Sequence, residues 1–547
     1  MKIIPNMNKR IWPLVLLMSP VFFFPLRAQN GRDSLQSQTI TVIKSYTPQI
    51  GDANKITVNP DLREDSEFPK ISLEYRPLEI DAVSTHTIEK GKLLRPQLHA
   101  ENKKNLPGYA EFAAGNAKAF RLKAFYSTLL PSDWTMGSGI SLQGLGKVLR
   151  DSLLLTPYHE WRLAAFAHRF DDRRKWTIRT AYAGKRLRLR DTLQPLRKEG
   201  PAFATHRFRL SGEGKFYQGP FRKSSTNYTF FSFFRTPEHD LRLQSLLVFP
   251  VAGFDIRTSM AARMLAGRAD KGYTHFTASI SPAFRLEQKN LLLNLGFKAF
   301  YVSRRGAYPS FHFYPDLRMD FHMIPEFLTV YLQYEGKVKS FSYEELSASN
   351  PYVMPLTPLE PAVIPYRFAG GFLGSIGSRT EYHIILGTAR TRRHPFTELR
   401  KTTRGIGYAV VYDRLDNFYF KVRLSYVAGE NFETKIKFDY YQNNPAHLKK
   451  AWNMEDYRIS WLLRGRTGKF SYRSDLFYVG PRYNIWEGKI VRTGETVDLN
   501  LRLGYTVLPD TEIYLEGNNL LHRNDMPFYP YPVHGLRILA GFTYSFR

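Results

Sequence analysis

The chain closes on GLRILAGFTYSFR, Gly535–Arg547, and from Leu536 every second residue is apolar or small: Leu536, Ile538, Ala540, Phe542, Tyr544 and Phe546. The residues between them are mostly smaller or polar. A period of two sends successive side chains to opposite faces of a strand. The same design recurs upstream. In HRFRLSGEGKF, Phe208, Leu210, Gly212, Gly214 and Phe216 alternate with Arg207, Arg209, Ser211, Glu213 and Lys215. In FDIRTSMAARM, Phe254, Ile256, Met260 and Met264 alternate with Asp255, Arg257, Ser259 and Arg263. VDLNLRLGYTV separates Val497, Leu499, Leu501, Leu503 and Tyr505 from Asp498, Asn500 and Arg502.

A soluble sandwich alternates too, so the period needs company. One face here is densely charged while the other carries almost no charge, and the apolar faces begin or end on Tyr, Trp or Phe, as membrane-interface girdles do. A sheet between lipid and water must close on itself, because an unpaired edge in hydrocarbon leaves amides and carbonyls unsatisfied. The pattern predicts an all-β, antiparallel transmembrane barrel over residues 108–547.

Link lengths set the strand count. Short turns are expected at LPSD (130–133), DDRR (171–174), PVAG (250–253), EQKN (287–290), IPEF (324–327), GSRT (377–380), DRLDN (413–417), RTGK (466–469) and LPDT (508–511). Between them lie mostly longer links, at 145–157, 188–203, 341–365, 392–403, 441–455, 480–495 and 520–534. Short periplasmic turns alternating with long external loops are the habit of outer-membrane barrels. A hairpin at AGEN would make the count odd and put the chain ends on opposite sides. Phe418, Phe420, Val422, Leu424 and Tyr426 share parity with Phe432, Thr434, Ile436, Phe438 and Tyr440. One long strand across AGEN is therefore expected, leaving about 22 strands; a hairpin there is the competing view.

The N-terminus bears on the compartment. Lys2, Lys9 and Arg10 precede the apolar stretch IWPLVLLMSPVFFFPLRA, which Pro13, Pro20 and Pro25 interrupt. It reads as a signal peptide over residues 1–28, cleaved after Ala28. Residues 29–107 hold short extended patches broken by Pro, Asp and Asn, and are expected to form a periplasmic or lumen-filling segment. Later in the chain there is no run of about 20 apolar residues long enough for a membrane helix.

Composition narrows the chemistry. Aromatic residues make up 15% of the 547, and there is no Cys, which excludes disulfides, thiolate metal sites and a cysteine nucleophile. His275 has Ser279 and Ser281 on the same strand face, the parts of a lipase dyad, but odd numbering alone puts them there. Asp171 and Asp172 sit on a turn among arginines. The 14 histidines form no metal-ligand pattern with a third ligand. GSGISLQGLG lacks the Lys-Ser/Thr of a phosphate loop. No catalytic set and no cofactor is expected.

The formal charge of +29 is more informative. The faces assigned to the lumen carry Arg207, Arg209, Arg257, Arg263, Lys298, Arg318, Arg423, Lys435, Lys437, Arg458 and Arg502, with Lys215, Lys421, Arg464 and Arg473. Fewer acids share those faces, among them Asp255, Asp320, Glu335, Glu433, Asp439 and Asp498. Cross-strand pairing is expected to neutralise many of the cations, and the excess would favour anionic solutes. Basic external positions suit the phosphates of lipopolysaccharide. Nucleic acid is not an expected partner of an exported barrel.

The segment from Glu516 to Leu521, EGNNLL, followed by a Tyr/Pro-containing loop and a Gly-led strand ending in Phe546, resembles the end of TonB-dependent receptors. Such a terminal strand, here with Phe542, Tyr544 and Phe546, resembles the signal read by the barrel-insertion machinery. Thr39–Val42 resembles a TonB box, while TVIKSYTPQIGDANKITVNP resembles the leader of plugless relatives, since residues 29–107 are few for a full plug. The resemblance implies a Gram-negative outer membrane, a transport-type barrel that passes or binds a solute, and TonB or other outer-membrane subunits as partners. The rival expectation is a non-conducting accessory subunit of a larger assembly.

Overall fold

The computed structural model describes residues 108–547 apart from 131–132, 147, 151–152, 156–157, 172, 189–201, 235, 252–253, 403–404, 430, 524, 532, 534 and 547. The signal peptide, the 29–107 segment and the TonB-box resemblance lie outside these residues. Within them, 22 antiparallel strands form one sheet. The first strand, Gly108–Gly115, pairs with the last, Arg537–Phe546, in the register Gly108↔Phe546 and Phe112↔Phe542, so the sheet is a closed barrel. Gly541 makes this closure tight, since a Cβ there would lie 2.4 Å from the Phe112 carbonyl oxygen.

The two-residue period maps onto two faces. Phe112, Leu163, Ile178, Leu210, Met260, Ile280, Leu386, Ile513, Phe542 and Tyr544 stand exposed on the outer wall. The alternate positions carry the ionised side chains, which pair with one another inside. Phe542 and Phe112 meet across the seam with ring centroids 6.2 Å apart. A charge on the lipid face of such a strand costs about 2–4 kcal/mol near mid-membrane. Phe542→Arg is therefore expected to lower the denaturant midpoint of the vesicle-inserted barrel, whereas Ser545→Arg, on the inner face, leaves it almost unchanged.

Nearly all expected short turns occur, and the end that carries them also holds Gly108 and Phe546. Two expectations are corrected. AGEN is a hairpin: Gly405–Ala428 pairs antiparallel with Phe432–Pro445, starting Ala428↔Phe432. The partner numbers of this hairpin sum to an even value, so both strands keep the same parity, and parity cannot separate a hairpin from a continuous strand. Gly429, at φ +61°, makes the turn. Conversely, DRLDN lies inside the strand Gly405–Ala428, and 392–402 continues the strand Thr380–Thr402. Arg390 pairs with Asp416 at 2.6 Å, and Asn417 with Asn443, so these polar residues extend a ladder beyond the apolar band instead of breaking it. The turn YQGP (217–220), between Ala202–Phe216 and Phe221–Phe233, is a further short link outside the expected set.

At the opposite end the links are unequal. Between Phe221–Phe233 and Ala307–Ile324 they are tight hairpins. Elsewhere several are long: 340–361, which holds the helix α1 (Tyr343–Ser349), 446–456, 480–495 and 519–536. The largest buried core of the described residues gathers here, where Tyr343, Leu346, Tyr352, Val353 and Met354 pack with Tyr408, Phe528 and Tyr531.

Candidate functional site

The loop 340–361 bridges the lumen. α1 begins at Ser342, whose hydroxyl accepts the Glu345 amide at 3.1 Å, the first half of a Ser-x-x-Glu capping box. Glu238, on the strand Thr236–Val251, takes the amides of Tyr343 at 2.9 Å and Glu344 at 3.3 Å, placing a carboxyl group at the helix N-terminus. Glu344 reaches Arg209 at 2.6 Å and Arg207 at 3.2 Å. Glu345 reaches Arg242 at 2.6 Å and Arg263 at 3.4 Å.

Ten residues further on, the loop is held by a different wall. The Met354 amide donates to the Tyr408 carbonyl at 2.8 Å, and the Tyr408 amide to the Tyr352 carbonyl at 3.0 Å. The Glu360 amide donates to the Tyr412 hydroxyl at 2.8 Å. Arg207 and Arg209 stand on the sixth strand of the ring and Tyr408 and Tyr412 on the sixteenth, ten places apart among 22 and so almost opposite. The loop 519–536 completes the cover. Tyr531 stacks on Tyr352 with centroids 4.1 Å apart, and the Tyr408 hydroxyl donates to the Tyr529 carbonyl at 2.6 Å. Arg482 lies over the Phe528 ring at 4.7 Å and pairs with Glu455 at 2.7 Å. Burial would raise the Glu455 carboxyl, but Arg482 and Arg458 outweigh it and hold the group below the usual carboxylate range.

Below this lid the expected basic positions line the wall without forming one cluster. Arg207, Arg209 and Arg263 hold the lid, Arg263 also pairing with Asp240 at 2.8 Å. Lys298 sits 2.7 Å from Glu335 and 3.0 Å from Asp316, and Arg318 sits 2.7 Å from Asp320. Arg257 is 3.5 Å from Asp255, Arg458 is 2.7 Å from Glu455, and Arg423 pairs with Asp439. Lys435 and Arg464 share Glu433, while Lys437 stands opposite Arg423 in the register. Arg502 lies 3.5 Å over the Tyr514 ring and 3.4 Å from Glu111. Several carboxylates thus serve two or three cations each. Glu335 alone takes Lys298, Lys337 and Arg367.

The residues that make the lid were not singled out as a site from the sequence: Glu238, Arg242, Glu344, Glu345 and Arg482. The signal for α1 was present in SYEEL, a capping box opening a short helix. His275 is buried on the wall, and Ser279 and Ser281 follow it along the same strand, four and six residues on. At about 3.3 Å per residue that spacing separates them by more than a hydrogen bond. Among the described residues no group of three or more His, Asp or Glu is placed to hold a metal ion.

No family model matches the chain, and no curated protein matches it. Solved structures do. The FrpB iron transporter from Neisseria meningitidis aligns with TM-score 0.61 and 9% identity over 81% of this chain and 82% of that one. The copper transporter OprC aligns with TM-score 0.60 and 12% identity, over 80% and 82%. The siderophore receptor PiuA from Acinetobacter baumannii aligns with TM-score 0.59 and 10% identity, over 81% and 82%. At such identities the likeness is one of fold: this chain shares the barrel architecture of these transporters and receptors.

Proposed function

We propose that the chain is an outer-membrane barrel of transport type that passes or binds a solute, related in design to TonB-dependent receptors. The observation that carries the reading is a closed 22-strand wall around a cation-lined lumen, with a loop anchored to two nearly opposite walls across its mouth. Residues 1–28 act as the export signal, 29–107 as the periplasmic or lumen-filling segment, and Phe542, Tyr544 and Phe546 as the insertion signal. TonB is the candidate energy-coupling partner, and lipopolysaccharide phosphates suit the basic outer rim.

The sharing of single carboxylates by several cations leaves the lumen positive, which favours anionic solutes. The test is the reversal potential of the purified barrel in planar bilayers under a salt gradient, with the lid loop excised. Anion preference is expected, and replacing Arg318, Arg423 and Lys435 by Gln should reduce it about threefold or more. Preference for cations in the parent barrel would refute an anionic cargo.

The second reading is a non-conducting subunit of a larger outer-membrane assembly. It is favoured by the buried aromatic packing of the lid, which closes the mouth in this conformation.

A further inference from the structure

Among the described residues the wall's ladder is incomplete beside the strand Ala307–Ile324. The strand Ala307–Ile324 pairs with its neighbour Leu291–Arg304 almost to the tip, at Arg304↔Ala307. Its pairing with Leu328–Lys339 on the other side stops at Asp316↔Glu335. Beyond that rung Leu328–Lys339 pairs only with Ala362–Ile376, so among the described residues no strand lies against Ala307–Pro315 on that side.

The orientation of the free groups follows from one bond. The His322 amide donates to Asn290 at 2.7 Å, toward the Leu291–Arg304 side. The register runs unbroken from Phe321 to Ser310, so even-numbered residues point their main-chain groups that way and odd-numbered ones the opposite way. Phe311, Phe313 and Pro315 therefore face the open side. Pro315 has no N–H to offer the next rung, whose partner would be Gly336. The Tyr314 ring fills that place, with its Cγ 2.4 Å from where a Gly336 Cβ would lie. A bulge between Glu335 and Lys337 then bends the neighbouring strand toward Ala362–Ile376.

The open edge is apolar and flanked by cations. Tyr308, Phe311 and Phe313 are 97%, 79% and 65% exposed, the most exposed cluster of large aromatics among the described residues. Arg305 stands at the hairpin tip, and Arg392 lies near enough to His312 and Tyr314 to act on both electrostatically. Neither has a carboxylate within ion-pair distance among the described residues. Lys339 ends the strand across the opening, over the Phe341 ring. A strand edge with unpaired amides is a template for another strand. Two copies of this chain meeting edge to edge would oppose like charges, which disfavours self-pairing.

We propose that the edge Ala307–Pro315 docks an extended, acidic segment of a partner protein, which adds as a strand by main-chain hydrogen bonds and packs its apolar face on Phe311 and Phe313. This surface is independent of what the lumen carries.

The test uses the full chain in nanodiscs and peptides of about nine residues alternating Glu with Val, a single strand's length. Fluorescence anisotropy should show the Glu peptide binding about tenfold or more tightly than its Lys counterpart, with about tenfold loss when alternate amides are N-methylated or when Phe313→Pro removes an edge N–H. Arg305→Glu with Arg392→Glu, which leaves the edge backbone intact, should reverse the charge preference. Equal binding of both peptides, no binding, or binding indifferent to N-methylation overturns the proposal. So does a photocrosslinker at position 313, in cells, that labels only lipopolysaccharide, a second copy, or residues 29–107.

Discussion

Excising residues 341–361 and joining Ser340 to Ala362 through a short Gly-Ser turn is expected to convert a nearly silent barrel into an open pore. A 22-strand barrel encloses a lumen wide enough to need filling, and this loop bridges strands almost opposite one another. On one wall its anchors are chargeable side chains: Glu344 on Arg207 and Arg209, Glu345 on Arg242 and Arg263, and the α1 amides on Glu238. Planar-bilayer conductance should rise about tenfold or more over the full chain. Glu344→Gln with Glu345→Gln should give intermittent openings, because the loop then loses its ionic ties to the wall arginines while the Tyr352–Tyr531 stack remains. The measurement belongs on barrels with and without residues 29–107, so that a second filler cannot mask the first. Silence in every form would remove the transport reading and leave the accessory one.

Arg121→Met is expected to weaken the barrel where it closes. Arg121 makes a two-pronged contact with Glu516, at 2.6 and 2.8 Å, and lies 3.5 Å from Glu111. All three side chains are buried. Lys123 adds a contact to Glu111 at 3.1 Å. The pair crosses the seam, reaching from Phe120–Leu129 over the first and last strands to Thr511–Asn518. Ala113 and Gly541 stand in the register row of Arg121, and the lack of any large side chain at either leaves room for the guanidinium to pass. Deleting one partner of a buried pair strands the other charge, a cost of about 3–5 kcal/mol. The temperature at which the folded, fast-migrating form is lost on a gel should fall clearly. Arg121→Met with Glu516→Met should recover much of the loss, since an apolar pair of similar volume is often near neutral. An unchanged transition in the single variant would mean that the seam is held by its backbone ladder alone.

Much of this architecture was readable along the chain. The faces of the strand Arg537–Phe546, with Ile538, Phe542 and Tyr544 outward and Arg537 and Leu539 buried inside, follow from parity alone. Each residue on such a strand meets either lipid or water, and the two solvents sort side chains at every position. Turn chemistry gave most short links for the same local reason. The AGEN hairpin escaped because parity survives an even-sum register, and DRLDN misled because polar residues inside a strand are cheap once it has left the hydrocarbon.

What one residue's solvent decides, a sequence can display; what two distant residues decide together, it cannot. The sequence by itself determined a barrel and the sides of its strands. The tertiary structure decided which carboxylate each cation meets, that Glu344 spans from a loop to Arg209, that Arg121 finds Glu516 across 395 positions, and that the ladder opens at Pro315. Those pairings depend on strand register and ring closure, which set distances between residues far apart in the chain and leave no periodic trace near either one.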